Sequence, residues 1–183
     1  MKKNILAVLL VITVSTFAAF AVVTDSGTLN VATAVQGVNL IGVFATGTAA
    51  PTGNAAANWT GSYTAPTVNS ATETAVGVVH TRSNNRTGYS VTMAAGPLSS
   101  TGTTTVYLGY VAKAYDGATL SGTSTYDATG TTTSGTAATI ISTGNLNGIT
   151  TTSRDIKIEI PNYATALEGS YTGTITFNYT SNN

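Results

Sequence analysis

The feature that most constrains the fold is a strict alternation of apolar and polar residues late in the chain. From residue 171 to residue 180 the sequence reads "YTGTITFNYT", and Tyr171, Ile175, Phe177 and Tyr179 fall on one parity. Successive side chains of an extended strand point to opposite faces, so this pattern predicts a β-strand with one apolar and one polar face. After residue 23 no long stretch shows the 3.6-residue period of an amphipathic helix.

Similar alternation recurs between clusters of Gly, Ser, Asn and Pro, which favour turns. In "RDIKIEIP", residues 154–161, Ile156, Ile158 and Ile160 share one face and charged residues the other, and we expect these three to join Ile175 and Phe177 in one core. Further strands are predicted at residues 27–35, 38–45, 59–68, 72–83, 87–96, 104–115 and 139–142. Eight or nine short strands indicate an all-β fold, an immunoglobulin-like or pilin-like antiparallel β-sandwich. An outer-membrane barrel is the alternative architecture, but it would need lipid-facing apolar rows where this chain has Thr and Asn.

Two stretches are predicted to lie outside the sheets. Residues 46–58 are small and polar and include Pro51 and Gly53, which indicates a loop. Residues 117–137 are low-complexity Gly, Ser and Thr with only Leu120 and Tyr126 as sizeable anchors, so we expect a mobile excursion there.

The first residues resemble a secretory signal. Lys2 and Lys3 precede an apolar run, and "AFA" at residues 19–21 fits a cleavage site. We therefore expect a signal peptide at residues 1–21 and one mature domain at residues 22–183, located in the periplasm, on the outer cell surface or outside the cell. An uncleaved membrane anchor is the alternative, and this segment would then be the only contact with a membrane.

Composition argues against several kinds of function. Without Lys2 and Lys3 the chain keeps five basic and seven acidic residues, so a nucleic-acid partner is not expected. The chain has no Cys and one His, His80, which leaves neither a zinc site nor a convincing Ser-His-Asp triad. We predict no enzymatic activity, no catalytic residues and no cofactor.

Aromatic residues give an alternative function. Trp59 and Tyr63, in "NWTGSY", could stack on sugar rings, which would make the protein a secreted carbohydrate-binding or adhesin module. Aromatic residues on sandwiches more often stabilise the sheet through cross-strand pairs.

Three stretches carry a resemblance to a known class. "SGTLNVATAV", "RSNNRTGYSVTM" and "EGSYTGTITFNY" occur in this order, and together they span most of residues 27–180. They resemble strands of secreted fimbrial subunits, including the spore coat protein U group. The resemblance implies an immunoglobulin-like pilin sandwich, a homopolymer of the chain itself, and in many cases handling by a periplasmic chaperone and an outer-membrane usher.

The final strand raises the question of what covers its edge. Residues 170–180 contain neither Lys nor Pro, which commonly guard open edges. Residues 22–36 offer a matching apolar row in Leu29, Val31 and Val35. This segment is expected either to fold back onto its own domain or to pair with a neighbouring copy by β-strand addition.

Overall fold

The structure, a computed structural model, describes residues 30–59, 61–100, 104–128 and 133–182. Contacts divide the chain into Met1–Val35 and Gln36–Asn183. In the first unit the described residues, 30–35, are exposed and form neither strand nor helix. The predicted strand 27–35 is therefore wrong for residues 30–35. Its first three residues, Leu29 among them, lie outside the described residues, as does the predicted signal peptide.

The second unit consists almost entirely of strands, so the predicted all-β fold is confirmed. In the described ranges there are nine strands and two single 3₁₀ turns, Ala56–Asn58 and Tyr163–Thr165. The strands are β1 (Asn39–Phe44), β2 (Thr74–Ser83), β3 (Tyr89–Ser100), β4 (Val106–Tyr107), β5 (Tyr110–Asp116), β6 (Thr119–Tyr126), β7 (Ala138–Ser142), β8 (Thr150–Glu159) and β9 (Tyr171–Ser181).

These strands form two antiparallel sheets that face each other as a β-sandwich. The first sheet has the order β1-β2-β8-β5-β6. In the second sheet β3 is central, with β9 along one side and β4 and β7 sharing the other. All pairings are antiparallel.

The core lies between the sheets and contains the predicted residues. Ile156 and Ile160 are 3% and 4% exposed, whereas Ile158 is half-buried against the same cluster. A buried hydrogen bond ties the sheets together, because the Tyr89 hydroxyl on β3 lies 2.7 Å from the Thr81 hydroxyl on β2. Burial of both polar groups is tolerated because each has a partner.

The expectation of a mobile excursion at residues 117–137 is wrong for residues 117–126. These residues contain β6, which forms a hairpin with β5 and buries Ser124 and Tyr126 to 1% exposure. Gly117, with φ of 58°, occupies the first position of the tight turn, where a positive φ favours glycine. Small side chains let β6 lie close to its neighbours, so a low-complexity sequence here encodes a packed strand.

Two further strand predictions need correction. The described residues within 59–68 form no strand. The predicted strand 104–115 is divided into β4 and β5 by an interruption at Leu108 and Gly109. Leu108, Tyr110 and Ala112, which share one parity, are nevertheless all buried.

Candidate assembly interface

The two sides of the sandwich differ in how well they are closed. On one side, here called the closed flank, β6 lies against β7, and a Cβ on Gly122 would come within 2.9 Å of the Thr139 carbonyl. The Ser124 hydroxyl donates to the Thr136 carbonyl and accepts from the amide of Ala95 on β3. These bonds join the two sheets along this side.

On the opposite side, here called the open flank, the edge strands are β1 and β9. Within the described residues β1 pairs with β2 alone, and β9 pairs with β3 alone. Each strand therefore has one row of backbone N–H and C=O groups with no ladder partner in that part of the chain. β9 is the longer of the two, with 11 residues against 6.

The apolar row predicted for the final strand is present on β9, but it is incompletely covered. Tyr171, Ile175, Phe177 and Tyr179 pack against the core and remain half-buried, whereas the alternate residues are mostly exposed. The neighbouring β3 gives the comparison, because its core-facing residues Tyr89, Val91, Met93 and Ala95 are 0% exposed. The predicted parity is confirmed, and the open flank is where the core reaches solvent.

Tyr179 closes one end of the open flank. Its hydroxyl donates to the Asn39 side chain on β1 over 2.8 Å, and its ring stacks on Tyr89 at a centroid distance of 4.9 Å. Partial burial raises the pKa of Tyr179 above its ordinary value, because the charged phenolate loses solvation there. Asn39 and Tyr179 thus link the two sheets at this end.

The predicted partner segment can be described only in part. Val31 and Val35 are 84% and 82% exposed, and residues 30–36 form no strand. Leu29 lies outside the described residues. Such exposure is uncommon for two valines that share a parity in an alternating sequence.

The residues of the alternative carbohydrate site are positioned differently from each other. Trp59 is 6% exposed, so its ring faces cannot stack on a sugar, and its indole nitrogen is buried without a hydrogen-bond partner among the described residues. Tyr63 is 37% exposed and lies over Gly77 on β2. Of the two predicted rings, only Tyr63 presents a surface.

His80 has both ring nitrogens hydrogen-bonded. Its Nε2 donates to the Thr48 carbonyl over 2.8 Å, and its Nδ1 lies 2.7 Å from the hydroxyl of Ser153 on β8. In the neutral ring Nδ1 accepts a hydrogen bond from the Ser153 hydroxyl, which is also how a catalytic base contacts a serine nucleophile. The group that orients the ring is a main-chain carbonyl rather than a carboxylate, and the two bonds also meet the needs of a buried histidine.

Sequence reasoning missed a charged cluster on the outer face of the first sheet. Glu73, just before β2, accepts from Lys113, Tyr115 and Lys157 at distances of 3.0, 2.9 and 3.1 Å. Lys113 also donates to Glu159 over 2.6 Å, and the Lys157 ammonium lies 4.4 Å from the centre of the Tyr115 ring. The hydrogen bond from Lys113, followed by those from Tyr115 and Lys157, lowers the pKa of Glu73 from 4.5 to about 2.

A cleft of about 250 Å³ lies at one end of the sandwich. The Tyr171 hydroxyl donates to the Leu167 carbonyl at its rim, and Leu167 itself is 66% exposed. The cleft is lined by Val106, Tyr107, Leu108, Gly109, Ala128, Asn162, Thr165, Ala166, Leu167 and Tyr171. Its lining is apolar and aromatic with a few polar groups, and it adjoins the start of β9.

Two structural features are absent from the described residues. No helix there is long and apolar enough to cross a membrane. No group of three or more His, Asp or Glu side chains in those ranges is arranged to hold a metal ion.

Comparison with known proteins assigns no family. The chain matches no protein-family model, and no curated protein or solved structure is significantly similar to it. The motifs shared with fimbrial subunits therefore remain a resemblance.

Proposed function

We propose that the protein is a non-enzymatic structural subunit of a cell-surface or extracellular assembly, possessing no active site and polymerising by β-strand addition. In this proposal β9 of one copy pairs with residues 22–36 of another. The observation that carries it is the apolar row of β9, which stays half-buried on a strand with one unpaired edge. The equivalent row of β3, covered on both sides, is fully buried.

The edge of β9 is suited to accept a strand. Its 11 residues include neither Lys nor Pro, and β3 holds them in a nearly continuous ladder. Long edges of this kind template the pairing of another chain, and natural proteins usually guard or cover them. An incoming strand would gain main-chain hydrogen bonds and bury the exposed parts of the apolar row.

Residues 22–36 have the length and pattern of such a strand. At ~3.3 Å per residue, the 11 residues of β9 span about 36 Å, and an equal run ending at residue 36 would begin at residue 26. Within that run Leu29, Val31 and Val35 share one parity. The exposure of Val31 and Val35 supports a role in which a partner buries them.

The resemblance to fimbrial subunits supports the same proposal. It adds secretion through a signal peptide, a homopolymer as the product, and a periplasmic chaperone and usher as further partners. A chaperone would serve the free subunit by covering the open flank until the donated strand replaces it.

Deletion of residues 22–36 tests the proposal. The intact mature protein should form filaments on concentration, visible by electron microscopy, whereas the deleted protein should remain monomeric by light scattering. The deleted protein should bind a peptide of residues 26–36 in trans. The control is the same peptide with Val31→Asp and Val35→Asp, which keeps the backbone hydrogen bonds and removes the apolar contacts.

Two results would contradict the proposal. The intact protein could stay monomeric at high concentration, which would mean that residues 22–36 close their own domain. Alternatively, the deleted protein could polymerise as well as the intact one, which would place the contacts elsewhere.

A further inference from the structure

The two ends of the sandwich differ in chemistry, and the difference bears on how copies contact each other if they assemble as proposed. The cleft pole is the end that contains residues 106–109 and 160–171, where β9 begins. The tail pole is the end that contains residues 36–38, 84–88 and 143–149, where β9 ends. We propose that the cleft pole of each copy receives the tail pole of the copy that donates its strand.

The contacts of Asn84 show where residue 36, the last residue of the donated segment, is held. Asn84 holds the chain at the tail pole, since its amide group donates to the Gln36 carbonyl over 2.9 Å and its side-chain oxygen accepts from the Val38 amide over 2.6 Å. Residue 35 continues covalently from that point. Residue 36, from which the donated segment extends, therefore lies at the tail pole.

The direction in which the donated strand runs along β9 follows from the space at each pole. On the acceptor, β9 runs from Tyr171 at the cleft pole to Ser181 at the tail pole. If the base of the donated segment lay at the acceptor's tail pole, it would compete for space with the segment that the acceptor itself donates from there. Entry at the cleft pole avoids this conflict, orients the donated strand antiparallel to β9, and gives a head-to-tail contact that repeats along a fibre.

The two poles are complementary in their exposed apolar and charged residues. The cleft pole exposes Leu167 and Tyr163, at 66% and 37%, and it carries an exposed acidic residue, Glu168. The tail pole exposes Ile149, at 46%, and Arg86. In a chain with only 8% charged residues, acid at one pole and base at the other favour head-to-tail contact over contact between like poles.

The absence of cysteine in the sequence allows a clean cross-linking experiment. Leu167→Cys and Ile149→Cys, both at exposed positions, are introduced singly and together, and the assembled protein is treated with a short bis-maleimide. The double variant should give a ladder of multimers on a denaturing gel, and neither single variant should. Leu120→Cys combined with Leu167→Cys is the matched control, because Leu120 is similarly exposed, at 51%, on the β5–β6 hairpin.

A charge exchange provides the second measurement. Arg86→Glu or Glu168→Arg alone should slow assembly at low salt by about threefold or more, and the two changes together should restore the rate, because they re-create an opposite-charge pair. A change in folding alone would not be corrected by the second substitution. High salt should reduce all of these differences.

The outcomes separate this inference from the proposed function. Filaments that depend on residues 22–36 but give no ladder from the double variant would overturn the pole-to-pole contact and leave strand addition standing. Dimers from Ile149→Cys alone would also overturn it, since they would show contact between two tail poles. If the assembled protein binds a glycan and Tyr171→Ala abolishes that binding, the cleft is a sugar site instead. Assembly that survives deletion of residues 22–36 would contradict the proposed function itself.

Discussion

Replacing Phe177 by alanine measures how far the open flank leaves the core uncovered. A fully buried aromatic side chain removes ~150–250 Å² from water. Phe177 is partly buried, and an alanine keeps part of the buried area, so the substitution removes about 100 Å² of it. At ~25 cal/mol per Å² this gives about 2.5 kcal/mol. Residual burial in the unfolded chain lowers the expected loss of unfolding free energy to about 2 kcal/mol.

Two neighbours serve as matched controls. Met93 is the register partner of Phe177 on β3 and is 0% exposed, so Met93→Ala should cost more, about 2–5 kcal/mol. Thr176 lies on the exposed face of the same strand, and Thr176→Ala should change stability by no more than about 0.5 kcal/mol. Urea unfolding can be followed by the fluorescence of Trp59, the sole tryptophan, which is buried in the folded chain.

The same variants connect stability to assembly. The measurements are made on the protein lacking residues 22–36, with and without a saturating peptide of residues 26–36. The peptide should stabilise the protein with Phe177 more than it stabilises the Phe177→Ala variant, because only the former has the ring that the peptide covers. Equal losses for Phe177→Ala and Met93→Ala would refute the reasoning, since Phe177 would then be fully covered in the isolated subunit. Equal losses for Phe177→Ala and Thr176→Ala would refute the parity.

Three further predictions concern other parts of the fold. Glu73→Gln should lower the unfolding free energy by about 1–2 kcal/mol at pH 7. This is the usual contribution of a hydrogen bond to a charged group, reduced because Glu73 is partly exposed to solvent. The difference should disappear as the pH falls from about 4.5 to about 2, because the folded-state pKa lies below the unfolded one; an unchanged difference at pH 2 would argue against the ion pairs. Tyr126→Ala should cost about 3–5 kcal/mol and expose β6 to limited proteolysis, whereas Leu120→Ala should do neither; early cleavage within β6 of the parent protein would contradict this. His80→Ala should cost about 1–3 kcal/mol by leaving the Ser153 and Thr48 groups without their partner, and a neutral effect in thermal unfolding would mean that water replaces the ring.

Strong alternation predicts β8 and β9 correctly, whereas the alternating residues 30–35 form no strand. β8 and β9 were expected from their period of two, and the structure buries Ile156 and half-buries Phe177 on the expected faces. Alternation is a local property that any strand with one buried face must show, so it can be read without knowing the partner strand. Burial depth is different, because it depends on what lies beside the strand. The half-burial of β9 follows from the absence of a neighbour on one side in the described part of the fold.

The missed features share a cause in non-local packing. β6 has only two large side chains, Leu120 and Tyr126, and it is also held because Gly122 lets it approach β7 and Ser124 finds hydrogen-bond partners on other segments. Trp59 is buried although no strand carries it. The Glu73 cluster depends on the register that places Lys113 opposite Lys157, and a shift of that register would separate the charges.

The difference between the flanks also bears on what kind of assembly strand addition would build. On the closed flank, β7 lies against β6, and small residues and hydrogen bonds join the sheets, so an added strand would have little apolar surface to bury there. On the open flank β9 combines a long edge with a partly exposed apolar row, and main-chain pairing and apolar burial would act together. One accepting edge and one donated segment per subunit permit a linear chain and disfavour branching, because each copy can then have only two such neighbours. A closed flank is therefore as important to the proposed function as an open one, since it limits addition to a single direction.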